Sequence, residues 1–364
     1  KGTGAQYLVK LLNIPHTSTV AIGDEQNDIP MIQSAHIGIA MKNGIDDIKK
    51  TADYVTENDN NHDAIAEVIE KFILSMKIAV MADIHSNIEA FKTCYEEAEK
   101  QGVTEYIFLG DYLGDMANPQ ETLCLLHEIQ TKYPCTFVRG NKEEYWINHR
   151  KNANEVWATG STTTGMLNYN YERLSDKNID FFENMPISKE MQYEGFSPFI
   201  VCHGSPDKVN QSMRSDYDYI NQIVKDLKVN LIICGHFHIQ TQYERKGILI
   251  VNLGAVGVPL HSGGKTQFMI LHGEDGIWKQ EFFSLPYDVN VTLKSMEDEK
   301  LFVKAPGWYQ ITKHLLLTGE TSHAEIVRHV RNQYFKDIGK CDLKDIPEWY
   351  WKQELIKIYG FLYQ

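Results

Sequence analysis

Between residues 76 and 290, short apolar runs repeatedly break off into a turn that carries a side chain able to hold a metal ion. The run 77–82 ends at Asp83-Ile84-His85, and 106–109 ends at Gly110-Asp111, 28 residues after Asp83. The run 136–138 leads to Gly140-Asn141, 30 residues after Asp111. The runs 199–202 and 231–234 lead to His203-Gly204 and to Gly235-His236-Phe237-His238. Each run is compact and rich in strand formers, and helical patterns over 88–101 and 119–133 separate the first three. That order predicts parallel βαβ units, whose strand ends gather along one edge of a sheet. Further runs at 247–252 and 267–271 have closer, hairpin-like spacing, so a mixed α/β fold with two sheets is expected. One Asp or His at a strand end is ordinarily a turn former. Two Asp, an Asn and several His brought together need a reason to tolerate one another. A pair of divalent cations supplies it by neutralising the carboxylates and engaging the imidazoles. Each ion needs roughly four to six ligands, so a shared carboxylate lets a small set serve both.

Composition narrows the class. A chain of 364 residues implies two or three domains, and 43% hydrophobic residues can bury real cores. The net charge of −13 argues against nucleic-acid backbones and anionic lipid as partners. No apolar run reaches the ~20 residues of a membrane span, and the first 25 residues show no signal-peptide pattern. Six scattered Cys (94, 124, 135, 202, 234, 341) without a CxxC pair read as reduced, buried thiols of a cytoplasmic protein. A homo-oligomer is left open.

Charge divides the chain into three blocks: −5 over 1–75, −9 over 76–290 and +1 over 291–364. The first alternates helical patterns (5–12, 30–34, 46–51, 64–74) with strand patterns (19–22, 37–41, 54–56). At about 75 residues it is small for a doubly wound domain and reads as the back end of one. It starts at Lys1 rather than Met, which suggests that a preceding portion is missing, and Met76-Lys77-Ile78-Ala79-Val80 looks like an independent start. The third block holds helical stretches at 308–317, 321–335 and 348–362, with a capping-box pattern at 321–325 and Pro347 before the last.

The ordered set D-x-H, GD, GN, H-G and GHxH over about 76–285 resembles the calcineurin-like metallophosphoesterase superfamily. Within it, GDYLGDMANP (110–119) and NLGAVGVP (252–259) resemble its small bacterial branch. The resemblance implies a four-layer αββα sandwich, flanked here by a partial Rossmann-like α/β fragment and a helical C-terminal extension. It implies that Asp83, His85, Asp111 and His238 bind one ion, and that the bridging Asp111 with Asn141, His203 and His236 binds the second. Mn²⁺ is the first expectation, with Fe, Zn²⁺ or Ni²⁺ as alternatives. Two ions ~3.5–4 Å apart would clamp a phosphoryl group and activate a shared water for in-line attack. Asp111 and His203 are thereby also catalytic candidates.

The chain departs from that family at one place. The family's GNH-acid motif credits its His with protonating the leaving group, but here the run is Gly140-Asn141-Lys142-Glu143-Glu144. Lys142, its pKa lowered beside two cations, is a candidate acid or charge stabiliser; the competing reading is a solvated loop residue. Asn252–Pro259 could turn backbone N–H groups toward a phosphate or could be a tight strand exit, making Asn252, Gly254 and nearby His261 weak substrate candidates.

Gly23-Asp24-Glu25-Gln26-Asn27-Asp28 and the opening KGTGAQYL resemble the last part of Cof-type haloacid-dehalogenase-like phosphatases. That resemblance implies Lys1 for phosphate and Asp24 and Asp28 for magnesium. The family's DxD nucleophile motif has no counterpart on an earlier strand; Asp216-Tyr217-Asp218 follows no apolar strand. Half a site cannot run covalent catalysis, so this block is expected to be an inactive remnant, a truncated fusion partner or a joined reading frame. The expected activity is hydrolysis of a small, nucleotide-like phosphodiester or phosphomonoester. The rivals are a phosphatase on phosphoprotein or nucleic-acid ends, and a catalytically weak metal-binding scaffold.

Overall fold

The computed structural model of the chain describes all residues except Asn13, Pro15, Thr17, Ser18, Ser75, 153–155, Asp275, Lys340, Cys341 and 361–364, and leaves out the side chains of 73 and 74. The boundary expected at Ser75, Cys341 and the helix end expected at Leu362 therefore lie outside the described residues. The first three strands are β1 (Val20–Gly23), β2 (Ile37–Ala40) and β3 (Tyr54–Val55). They pair in parallel in the order β1-β2-β3, as the alternating pattern predicts. The helix expected over 64–74 is α-helical only over Ala64–Val68 and continues as a wider π-type turn over Ile69–Leu74.

Two five-stranded sheets follow. The first is built from β4 (Met76–Met81), β5 (Glu105–Phe108) and β6 (Cys135–Phe137), with two later strands returning to it. The second contains β7 (Ser188–Met191), β8 (Phe199–Cys202), β9 (Leu231–Cys234), β10 (Gln240–Arg245) and β11 (Ile248–Leu253). The returning strands are β12 (Thr266–Glu274) and β13 (Ile277–Leu285). The orders are β13-β12-β4-β5-β6 and β10-β11-β9-β8-β7. In each sheet three neighbouring strands run parallel, β4-β5-β6 and β11-β9-β8, and the remaining strands pair antiparallel.

Side-chain alternation explains why the parallel strands read as unbroken apolar runs. Ile78, Val80 and Ala82 face the second sheet, packing with Val201, Ile233 and Val251 in the seam between the two. Ala79 and Met81 point the other way, under Phe91 and Cys94 of the helix Ile88–Lys100 and Leu123 and Leu126 of the helix Pro119–Lys132. On the far face of the second sheet, Ile200, Cys202, Ile232 and Cys234 pack against Ile220 and Val224. Both faces of both sheets are thus covered, as parallel sheets require. The layers run helix, sheet, sheet, helix.

The C-terminal helices hold a cluster of their own, with Ile326, Val330, Tyr350, Trp351 and Leu355 packed together, and their first part also packs onto the sandwich. Leu293, Met296, Leu301, Ala305 and Tyr309 share one buried cluster with Met116, Ala117, Ala255 and Val258, which lie in the loops after β5 and β11. The helix Val289–Asp298 runs through residue 290, where the charge shifts. Ser322 caps the helix His323–Ile338: its Oγ accepts from Glu325 N at 3.1 Å while Ser322 N donates to Glu325 Oε2 at 3.3 Å. Among the described residues no helix is long and apolar enough to cross a membrane. The five described cysteines are free; Cys94, Cys202 and Cys234 are buried, but Cys124 is exposed and Cys135 half-buried, because they lie on an outward helix face and at a sheet edge.

Candidate metal centre

Because β4, β5 and β6 run parallel, as do β8, β9 and β11, their C-terminal ends open along matching edges, and the chain turns sharply there. Asp83, His85, Asp111, His236 and His238 all have φ between 51° and 73°. Residues with a Cβ avoid that left-handed region, at a cost of about 1–3 kcal/mol each, unless the surroundings hold them there. The surroundings do. Asp83 N donates to Gly110 O (3.1 Å), His85 N to Asp111 O (3.0 Å), and Gly257 N and Leu260 N to the carbonyls of Asp83 and His238 (2.8 Å each). Gly140 is glycine for a related reason: a Cβ there would collide with the backbone and carboxylate of Asp111.

These turns bring the predicted side chains together. Asp83 Oδ1 lies 3.2 Å from His238 Nε2, 3.8 Å from His85 Nε2 and 3.9 Å from His203 Nε2. Asp111 extends one oxygen each way, Oδ2 at 3.5 Å from His85 Nε2 and Oδ1 at 3.6 Å from His203 Nε2. Asn141 Oδ1 stands 3.1 Å from His203 Nε2. His236 is placed less directly. Its backbone N donates to Asp83 Oδ2 (3.0 Å) and its ring stacks edge-on to His203 with centroids 5.1 Å apart. Burial and the neighbouring His203 push its imidazole pKa down to about 4.

The polarity of this cluster fits a cation. His203 Nδ1 sits 2.7 Å from Leu109 O, which can only accept, so in the neutral ring Nδ1 carries the proton and Nε2 presents a lone pair. That lone pair faces the oxygens of Asp83 and Asp111: acceptors meet acceptors. Asp83 Oδ1 and His85 Nε2 are buried with no hydrogen-bond partner. Burial alone would raise the Asp83 pKa, but positive charge on the rings of His238 and His203 holds the carboxyl well below its usual range, the same demand that a cation would meet. Two ligand groups overlap there, Asp83-His85-His238 and Asp83-Asp111-His203. Hard carboxylate oxygens with imidazoles suit Mn²⁺, Fe or Zn²⁺.

Four residues that the sequence reading passed over complete the surroundings. Glu143, fully buried, accepts from Asp111 N, Tyr112 N and Gly140 N at 2.9–3.0 Å, tying the β5 and β6 turns together. Burial and the Asp111 carboxylate push its own pKa up to about 7. Asp115, Trp308 and His323 sit beside Lys142, which is not a solvated loop residue. Lys142 is buried in the first turn of the helix Asn141–Lys151, its N donates to Asp111 Oδ1 (2.8 Å), and its Nζ donates to Asp115 Oδ1 (3.1 Å). Burial pushes its pKa down, but Asp115 and Asp111 outweigh that and, among the protein's own groups, hold it above the ordinary lysine value. Only Glu143 and Asp115 carried a hint in the sequence, as acids close to Asn141 and Asp111; Trp308 and His323 carried none.

The substrate candidates at 252–254 are corrected. Asn252 Nδ2 donates to Gly235 O, and Asn252 Oδ1 accepts from Gly254 N (3.1 Å). Val256 N and Gly257 N are likewise spent on Ala82 O and Asp83 O. The segment is a strand exit that joins the second sheet to the turn after β4, and the Asn252 side chain and Gly254 N are engaged within the chain rather than turned toward a substrate. His261 is exposed and lines the cavity over the cluster. That cavity holds about 580 Å³ and is walled by His85, Asp111, His236 and His238 on one side and by Trp308, His323 and Arg328 of the C-terminal helices on the other.

In the first block, Lys1 Nζ meets Asp28 Oδ1 at 2.7 Å, and Asp28 Oδ2 accepts from Asp24 N (3.4 Å) and Glu25 N (3.3 Å). The Asp24 side chain makes no such contact with Lys1.

Comparison with known proteins agrees with this division. Residues 1–69 match the haloacid dehalogenase-like hydrolase family, and residues 76–276 match the calcineurin-like phosphoesterase superfamily domain. The chain is 24% identical over 246 residues to the uncharacterized protein MJ0912 of Methanocaldococcus jannaschii, covering 64% of this chain and 94% of that one. Its first block is 45% identical over 62 residues to phosphatase YwpJ of Bacillus subtilis, but covers only 22% of that protein. The chain spans about a quarter of the length of the phosphatases that this block matches. Among solved structures, hypothetical protein PH1004 from Pyrococcus horikoshii superposes with a TM-score of 0.56 at 17% identity, over 68% of this chain and 100% of that one. A metallophosphoesterase from Sphaerobacter thermophilus gives 0.52 at 18% identity, over 67% and 99%. These two show the same fold. With a domain match over more than half its length, the chain belongs to the calcineurin-like phosphoesterase superfamily and is a hydrolase of phosphoester bonds.

Proposed function

We propose that the chain hydrolyses a small phosphodiester or phosphomonoester, nucleotide-like in size, with two divalent cations held at the strand ends. The observation that carries this reading is the lone pair of His203 Nε2 facing the buried oxygens of Asp83 and Asp111. Asp83, His85 and His238 would hold one ion; Asn141, His203 and His236 the other, with Asp111 between them. Mn²⁺ is the ion we would supply first. When bound, such ions stabilise charge on a phosphoryl group and make a water acidic enough to attack at neutral pH.

The chain's own groups do the rest. Leu109 O fixes the His203 tautomer, and Glu143 holds the β5 and β6 turns at a fixed separation. Lys142, buried and charged, stands beside Asp111 and supplies positive charge near a leaving oxygen. Its pairing with Asp115 favours charge stabilisation over proton donation. The C-terminal helices wall the cavity, which favours a small substrate over a phosphoprotein or a nucleic-acid end. The first block, with Asp28 already satisfied by Lys1, contributes no turnover in our reading.

The test is Mn²⁺-supplemented turnover of bis-p-nitrophenyl phosphate against p-nitrophenyl phosphate, with Asp111→Asn beside the wild type. Metal-dependent turnover lost in the variant supports the reading, and the diester-to-monoester ratio assigns the class. Full turnover in Asp111→Asn would sink the dimetal assignment. Two bound ions with no turnover of either ester would favour the scaffold instead. Lys142→Ala should slow esters with basic leaving groups most; an equal loss on activated and unactivated esters removes its role.

A further inference from the structure

Asp115 is 2% exposed, and three nitrogen groups, from His85, Lys142 and Trp308, surround its carboxylate. Oδ2 lies 3.1 Å from His85 Nδ1, close enough for an ionic contact but too oblique for a hydrogen bond. Oδ1 accepts from Lys142 Nζ at 3.1 Å and from Trp308 Nε1 at 2.9 Å. Those three partners come from three different parts of the fold: the turn after β4, the helix Asn141–Lys151 and the helix Pro306–Thr318 of the C-terminal block. The seat is built for this contact. Gly114 has no side chain because a Cβ there would press 2.5 Å from His85 Nδ1. Its amide groups are pinned from both sides, Gly114 N donating to Ser86 Oγ (3.2 Å) and Gly114 O accepting from Asn170 Nδ2 (2.5 Å).

We propose that Asp115 is a positioning residue for the metal centre, and that Trp308 holds it there from the C-terminal block. Negative charge beside Nδ1 favours the proton on that side of the ring and leaves Nε2 facing Asp83 and Asp111, where an ion would be held. The indole N–H aims Oδ1 and leaves Oδ2 for His85. Trp308 is itself clamped by the ring of His323, whose centroid lies 4.4 Å away at 25°, and His323 Nε2 is anchored 2.8 Å from Thr312 Oγ1. The helical block thereby reaches the metal centre through a chain of named contacts, Thr312 to His323 to Trp308 to Asp115 to His85. The inference rests on the dimetal reading above.

The test measures Mn²⁺ binding by titration calorimetry and records the visible absorption of the Co²⁺-loaded protein, for the wild type, Asp115→Asn and Trp308→Phe, in the full chain. Asp115→Asn should weaken one of two binding events by about 10–100-fold and shift the Co²⁺ bands. It also leaves Lys142 without its partner, so folding is checked by circular dichroism. Trp308→Phe keeps an aromatic ring against His323 and removes the N–H together with the five-membered half of the indole. It should fold like the wild type and weaken the same binding event by a smaller factor, about 3–10-fold. Two ions bound by the wild type, with affinities and Co²⁺ spectra unchanged in both variants, would overturn the positioning role and leave the dimetal reading standing. A wild-type protein that binds no divalent ion overturns both.

Discussion

Two regions of this chain place aspartates after a parallel β-strand, and they treat them in opposite ways. After β1, Asp28 has its oxygens filled by the chain itself: Lys1 Nζ on one, the N–H groups of Asp24 and Glu25 on the other. After β4, Asp83 Oδ1 is buried without a hydrogen-bond partner, among imidazole nitrogens 3.2–3.9 Å away. A carboxylate whose bonds are met internally has little to gain from an ion, whereas an orphaned one in a low-dielectric setting has much. The contrast shows that motif and strand position do not by themselves make a centre. What the neighbouring groups leave unsatisfied does.

The comparison can be broken most sharply by exchanging carboxylate for amide on each side. Asp83→Asn should lower turnover by at least on the order of 100-fold, and Asp28→Asn should leave it unchanged. Comparable losses in both, measured on the same nitrophenyl ester, would mean that the two sites work together. Next in size is the response to ions. Mn²⁺ at ~100 times its dissociation constant should add about 2.7 kcal/mol of stability, read as a rise of several degrees in Tm that EDTA reverses. Asp28→Asn should retain that rise and Asp83→Asn should lose most of it. Gly140→Ala tests the geometry rather than the charge. Its methyl must displace the Asp111 carboxylate, so a loss of about 1–3 kcal/mol in stability should come with impaired ion binding.

The smallest effect belongs to the satisfied site. Lys1 is half exposed, so Lys1→Ala should cost under about 1 kcal/mol in a thermal melt and leave turnover intact. Burial raises the Asp28 pKa, but Lys1 and the backbone N–H groups overcome it and hold it below the usual carboxylate value. The pair's contribution is therefore present above about pH 4. It is lost as the pH falls through the lowered pKa, so the melts of wild type and variant should converge in acid.

How much of this was legible in the sequence follows from burial. β4, β5, β8 and β9 were readable because both their faces are covered and they spell continuous apolar runs. β7, β10 and β13 were not. Ser-Lys-Glu-Met, Gln-Thr-Gln-Tyr-Glu-Arg and the alternating exposed positions of Ile277–Leu285 are edge sequences, shaped by solvent as much as by the sheet. The polar helix Asn141–Lys151 escaped notice for a similar reason: NKEEYWINHRK has almost no amphipathic signal. In the centre, residues that follow a strand could be found by order and spacing. Asp115 could be seen only as a second acid near the first, and its partner Trp308 is 193 positions away. Such pairings are made by tertiary packing, which no local pattern encodes.

The backbone at the strand ends carries a last consequence, for how such a chain drifts. Five of the seven proposed ligands are held in a conformation that glycine would adopt at no cost. A lineage with no further use for ions would gain stability by letting those positions go, one relieved turn at a time. The same turns would be among the first places where loss of the reaction became visible in the sequence. A descendant that kept the sandwich but abandoned its chemistry should show glycine or asparagine at 83, 85, 111, 236 and 238, while Gly140 should persist, because the backbone of residue 111 would still leave no room for a side chain there.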